Sequence, residues 1–180
     1  MRLFIGIPMS HEVTEQLAAV RARLERPADG LRWSAPESWH ITLQFLGATS
    51  PGQYDCVLSH LRAVNAKPVP VQLEGLGFFE RTGVFFAGVR VSPELAALQK
   101  IIATAMSGCG FEPEERPYHP HITLARNRGR EDGVRGLKAR AGAAPQFAAF
   151  VAHEFLLYES FPGPQGSRYE VRARFAPGGD

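Results

Sequence analysis

Four consecutive residues, His40-Ile41-Thr42-Leu43, return as His121-Ile122-Thr123-Leu124, 81 residues later in a chain of 180. Recurrence of the apolar letters along with the histidine and threonine marks the two copies as halves of one site. In an extended strand, side chains two apart point the same way. Each copy therefore presents an imidazole and a hydroxyl on one face and anchors itself with Ile and Leu on the other. Two such strands across a groove bring together His40, His121, Thr42 and Thr123 with no carboxylate or thiol required. That inventory suits phosphoryl chemistry. A neutral imidazole accepts a proton from the attacking oxygen, and a charged one protonates the leaving oxygen. The hydroxyls hydrogen-bond non-bridging oxygens as charge builds on them.

Other chemistry finds less support. His119 and His121 form a His-x-His that could grip zinc from one strand face, but no third ligand stands at a sensible spacing, so no metal or cofactor is expected. No Walker loop, Gly-x-Gly-x-x-Gly fingerprint or Gly-x-Ser-x-Gly elbow is present. His11 and His60 fall in helical stretches and read as surface residues, and His153 begins a strand. The net charge of +2 does not by itself mark a nucleic-acid binder, although Arg126, Arg128 and Arg130 follow the second motif and Lys138 and Arg140 come shortly after. These read either as a solvated charged loop or as a phosphate-attracting rim.

The elements that must position the motifs follow from periodicity. Residues 2–8 form a buried strand, and Ser10 caps a helix with Val13, Leu17, Val20 and Leu24 inward. Leu31–Trp33 is a short strand, 39–46 the first motif strand, and Ser50-Pro51 opens a helix buried through Tyr54, Leu58 and Leu61. Strands at 69–79 and 83–91 form a hairpin. Ser92-Pro93 starts a third helix on Leu95, Leu98, Ile102 and Met106, and 120–126 is the second motif strand. From 127 to 145 the Gly, Arg and Ala content predicts a mobile loop with at most a helical turn near 134–140. Strands from Phe147 to Ser160, broken near Ala152, and from Arg168 to Phe175 complete the chain. Helices interleaved with hairpins predict an α+β fold of two similar lobes related by a pseudo-twofold axis. Two antiparallel sheets face each other across a groove lined by the motif strands, with helices outside. Residues 1–180 read as one bilobal domain, with 44% hydrophobic residues to build a core.

Two cysteines, Cys56 and Cys109, show no metal-type spacing, no leader pattern precedes Met1-Arg2-Leu3-Phe4, and no apolar run is long enough for a membrane span. The expectation is a soluble cytoplasmic monomer with both thiols as small core residues.

Taken together, RLFIGIP, Arg32-Trp33 through HITLQFLG, GLGFFERTGVFFAGV, YHPHITLAR and the closing Leu157-Tyr158-Glu159-Ser160 with Gly166 and Tyr169 resemble the two-histidine (2H) phosphoesterase superfamily. Within it they resemble the RNA 2′,3′-cyclic phosphodiesterases, also called 2′-5′ RNA ligases. The resemblance implies metal-independent opening of a ribose 2′,3′-cyclic phosphate at an RNA end or nucleotide to a 2′-phosphate, and reversal of the same proton transfers in 2′-5′ ligation. By analogy His121 activates water and His40 protonates the 3′-oxygen. Arg126 corresponds to a family arginine that contacts phosphate. Strict alternation puts Arg126 on the face of Ile122 and Leu124, so a groove-facing guanidinium requires the strand to end or bulge. Phe45, Phe79, Tyr118 and Tyr158 are candidates to stack on a base, although alternation assigns Phe45 to the core. The turn Arg81-Thr82-Gly83 departs from the family's proline-basic segment. Alternatives on the same scaffold are 2′-5′ oligonucleotides, ADP-ribose 1″,2″-cyclic phosphate, or an RNA-end-binding module without catalysis.

Overall fold

In a computed structural model, which describes residues 1–176, the predicted elements form with few exceptions. The apolar opening segment is β1 (Arg2–Pro8), its middle five residues buried. Ser10 then accepts a hydrogen bond from the Val13 N–H and starts α1 (His11–Leu24), which buries Val13, Leu17, Val20 and Leu24 as their spacing requires. After β2 (Leu31–Trp33) and a 3-10 turn at Pro36–Ser38 comes the first motif strand, β3 (His40–Ala48). A reciprocal capping box between Ser50 and Gln53 opens α2 (Pro51–Arg62), whose buried face is centred on Val57 and Leu61.

The predicted strand 69–79 divides at Gln72 into β4 (Val69–Val71) and β5 (Leu73–Phe79), where the chain passes from one sheet to another, and the Gln72 side-chain amide donates to the Phe147 carbonyl. β6 (Val84–Val89) completes the hairpin, α3 (Pro93–Ser107) buries Leu95, Leu98, Ile102 and Met106, and β7 (His121–Asn127) carries the second motif. Where the sequence predicts a mobile loop, α4 (Glu131–Ala141) forms instead. Two glycines lower its helix propensity, but Gly133 is needed. A Cβ there would lie 2.1 Å from the Asp29 carbonyl oxygen, so only glycine lets the helix approach so closely. Leu137 is buried beneath it, and the Arg140 guanidinium donates to the Leu24 carbonyl at 3.0 Å, which takes Arg140 out of any phosphate rim. Lys138 is likewise occupied, in an ion pair with Glu80. The last strands are β8 (Phe150–Ala152), β9 (Phe155–Phe161) and β10 (Arg168–Phe175).

The strands form two antiparallel four-stranded sheets, ordered β10-β9-β1-β3 and β2-β7-β6-β5, with β4 paired to β8. One cluster of buried side chains runs through both lobes and the helices, from Ile5, Leu17 and Ile41 to Phe85, Ile102 and Ile122. Among the described residues no helix is long and apolar enough to cross a membrane.

The expectation for the cysteines is also overturned. Cys56 and Cys109 are not separate core thiols but a disulfide, with a Cα–Cα distance of 5.8 Å, that ties α2 to the turn after α3. Spacing hides the pair, since 53 residues separate them and only the packing of α2 on α3 brings them together. The His60 ring lies against both sulfurs, its Nδ1 3.5 Å from each. The cysteines accordingly lend no support to a reducing compartment.

Candidate active site

The register around each motif decides which side chains enter the groove. On β1, Gly6 lies opposite Thr42 while Ile5 lies opposite Gln44, so Leu43 is an extra residue on β3. On β6, Phe86 lies opposite Thr123 while Phe85 lies opposite Ala125, so Leu124 is the extra residue on β7. Each motif thus ends in a β-bulge at its leucine, and beyond it the inward-outward alternation reverses. His40 and Thr42 share the groove face before the bulge, and Phe45 joins that face after it. His121, Thr123 and Arg126 repeat the arrangement.

This corrects the reading of Phe45 as core. Its side chain is 72% exposed, with its ring centroid 6.1 Å from that of Phe4, its partner across the strand pair. It also removes the objection to Arg126, which reaches the groove through the bulge that strict alternation lacks.

His40 is held on several sides. Its Nδ1–H donates to the Ser38 carbonyl at 2.7 Å, which leaves Nε2 as the lone-pair nitrogen of the neutral ring, and the Thr42 hydroxyl donates to Nε2 at 3.0 Å. Phe4 packs on the imidazole at 4.6 Å between centroids, with Tyr169 edge-on at 5.4 Å and Tyr158 at 5.7 Å. Gly6 makes room for the ring. A Cβ there would sit 2.8 Å from the Ile41 carbonyl oxygen and 3.3 Å from His40 Cδ2. Burial lowers the His40 pKa from 6.5 to about 4; the Ser38 carbonyl opposes the shift, while positive charge on His121 and Arg126 adds to it.

His121 repeats the anchoring, with Nδ1–H donating to the His119 carbonyl at 2.8 Å. Its ring meets Phe79 and Phe86 edge-on, at 5.0 and 5.5 Å between centroids. Burial lowers its pKa too, opposed by the His119 carbonyl and reinforced by positive charge on His119 and Arg126. Both imidazoles lie within the field of Arg126, and His40 within that of His121. Strands β3 and β7 touch, and the Tyr118 hydroxyl ties the lobes together by donating to the Thr42 carbonyl at 2.9 Å. Tyr118 is therefore a strut between motifs rather than an open stacking surface. Tyr158 stacks on Phe4 at 4.8 Å and is buried, which leaves Phe45 as the exposed aromatic of that set on the groove face.

The fold thus brings the two motif strands into contact, with His40, Thr42, His121, Thr123 and Arg126 at matching register positions and the charges of His121 and Arg126 felt at His40. His119 is exposed, and its ring lies 6.3 Å from that of His121, edge to face. The Phe4 and Tyr169 packing on His40 was not legible beforehand, because it depends on β1 and β10 lying in the same sheet.

The sequence profile of the 2′-5′ RNA ligase superfamily matches residues 8–160. The chain belongs to this superfamily. A Geobacillus stearothermophilus protein named RNA 2′,3′-cyclic phosphodiesterase is 34% identical over 128 residues, 68% of this chain and 41% of that protein. A Thermotoga maritima protein of the same name is 31% identical over 176 residues, covering 95% of this chain and 92% of its own length. Among solved structures, E. coli LigT in apo form superposes with a TM-score of 0.81 at 27% identity, covering 99% of this chain and 98% of that one. The α+β fold of this chain is therefore that of E. coli LigT over nearly its whole length.

Proposed function

We propose that this protein hydrolyses a ribose 2′,3′-cyclic phosphate at an RNA end to a 2′-phosphate. The observation that carries the reading is the matched pair of imidazoles. Each is fixed through Nδ1 by a backbone carbonyl two residues upstream, which leaves Nε2 as the proton-accepting nitrogen, in His40 held by the Thr42 hydroxyl, and both rings lie in the field of Arg126. In the reaction, one neutral Nε2 takes a proton from water as its oxygen attacks phosphorus. The bond from phosphorus to the 3′-oxygen breaks, and the other imidazole, charged, protonates that oxygen. Thr42, Thr123 and the Arg126 guanidinium hold the non-bridging oxygens. With the 5′-hydroxyl of a second RNA in place of water, the same proton transfers form a bond from phosphorus to that 5′-oxygen as the 3′-oxygen leaves, which gives a 2′-5′ phosphodiester.

Family analogy makes His121 the base and His40 the acid. The environment of the free protein favours the opposite order, since His40 is the more deeply packed ring and stays neutral to about pH 4. A substrate with a p-nitrophenyl leaving group decides between them, because it needs no acid. The variant lacking the acid keeps most of its activity on that substrate, and the variant lacking the base does not.

The test of the reading is the product from an oligonucleotide ending in a 2′,3′-cyclic phosphate, incubated in EDTA. A 2′-phosphate is expected. A 3′-phosphate would overturn the leaving-group assignment, and tight, salt-sensitive binding without turnover would make the protein an RNA-end-binding module. Faster turnover of 2′-5′ oligonucleotides or ADP-ribose 1″,2″-cyclic phosphate would move the substrate elsewhere on the same scaffold.

A further inference from the structure

Strand β2 pairs with β7 so that Arg32 stands directly opposite Arg126, with Trp33 opposite Ala125. Directly opposed residues of an antiparallel pair share a face. Arg32 therefore leaves the sheet on the groove side, while Trp33 turns inward against Phe85, at 6.0 Å between centroids. Two like charges in this relation destabilise a strand pair unless something negative lies between or beside them. Among the described residues, neither guanidinium takes part in an ion pair, although eight other pairs form.

Arg32 also lies beneath the other lobe. Its Cδ and Nε are 3.7 Å from where a Cβ on Gly166 would stand, in the turn that leads into β10. Tyr169, next along β10, sits between the centres, with its ring edge-on to His40 and its phenol in the field of both guanidiniums. The charge of Arg126 reaches both imidazoles and the phenol, and Arg32, on the next strand outward, shares the phenol with it. Arg32 is thus one station along the groove from the reacting centre. The cyclic phosphate carries a single negative charge, and Arg126 already answers it.

We propose that Arg32 is a second phosphate-binding residue that holds the phosphodiester on the 5′ side of the terminal nucleotide. The inference rests on the cyclic phosphodiesterase reading and narrows it to RNA ends in preference to mononucleotides.

The test compares kcat/KM for a nucleoside 2′,3′-cyclic phosphate with that for a dinucleotide ending in the same group, in wild type, Arg32→Gln and Arg32→Lys. Wild type prefers the dinucleotide by about tenfold or more, the range for a hydrogen bond to a charged group. Arg32→Gln brings the ratio close to one, and Arg32→Lys restores part of it as a point charge. The ratio cancels any loss of folded protein. A ratio unchanged in Arg32→Gln, even with both substrates slowed, overturns the proposal, as does a wild type without preference. A wild type that turns over neither substrate removes the cyclic phosphodiesterase reading itself.

Discussion

The strand pairs β1–β3 and β6–β7 follow one backbone plan with different side chains. Opposite the two histidines stand Pro8 and Gly88, opposite the threonines Gly6 and Phe86, opposite the next residue after each bulge Ile5 and Phe85, and opposite the turned-out residues Phe4 and Val84. The backbone repeats because the same bulge at Leu43 and at Leu124 solves the same problem, which is to put three side chains of one short segment on one face. On the function proposed above, the side chains diverge because the lobes would meet different parts of a ligand. At the turned-out position one half offers an exposed aromatic ring, Phe45, and the other a guanidinium, Arg126. A nucleotide end has a base and a phosphate, and the pair matches that asymmetry. The halves differ again in how they hold their imidazoles. His40 is enclosed by Phe4, Tyr158 and Tyr169, while His121 meets Phe79 and Phe86 and lies more open to the groove.

The comparison breaks most directly at the histidines. His40→Ala and His121→Ala should each reduce kcat by about 10²–10⁴-fold, the usual worth of one acid or base. Circular dichroism checks that both remain folded. If one replacement were nearly silent, the halves would not share the chemistry.

Next in size are the turned-out residues. Arg126→Gln should lower kcat/KM by about 10–100-fold, as expected for a charge-assisted contact to phosphate. Phe45→Ala should raise KM by a smaller factor and leave the melting temperature within a degree or two, because the ring is already 72% exposed. A core phenylalanine truncated to alanine costs about 3–5 kcal/mol. A large fall in melting temperature for Phe45→Ala would therefore contradict the bulge at Leu43.

The two imidazoles also set the response to pH. Both are shifted below the ordinary 6.5, so kcat/KM, which needs one neutral and one charged ring in the free protein, should peak on the acid side of that value. A profile still rising at neutral pH would refute it. Stability runs the other way. Between pH 6.5 and about 4 the unfolded chain binds the His40 proton and the folded chain does not, so stability falls as pH drops through that window and is level in this respect above it. Chemical denaturation at several pH values measures this, and His40→Gln should flatten the slope.

The smallest effect sharpens the comparison at the residue after each bulge. Gln44 is buried with both ends of its amide unpartnered, while its counterpart Ala125 buries only a methyl group. Replacing an unsatisfied amide with apolar atoms of similar size is neutral to stabilising. Gln44→Met should hold or raise the melting temperature by a few degrees, and a clear loss would mean the amide is satisfied in solution.

The sequence by itself determined a good deal of this protein. Helical spacing located α1 and α3 with their buried residues, the cap-plus-proline pairs at Ser50-Pro51 and Ser92-Pro93 located helix starts, and the doubled His-x-Thr-Leu marked two strands, distant in sequence, that the fold brings into contact. These signals are local, written within a few residues of one another. What only the tertiary structure decided depends on partners far along the chain. The α4 helix forms because Gly133 can press against Asp29 and Leu137 finds a buried place, neither visible in a stretch rich in glycine and arginine. The Cys56–Cys109 disulfide depends on α2 meeting the end of α3. The outward turn of Phe45 and Arg126 depends on which residue of β1 or β6 stands opposite each leucine, since one unpaired residue in a ladder reverses every side chain after it.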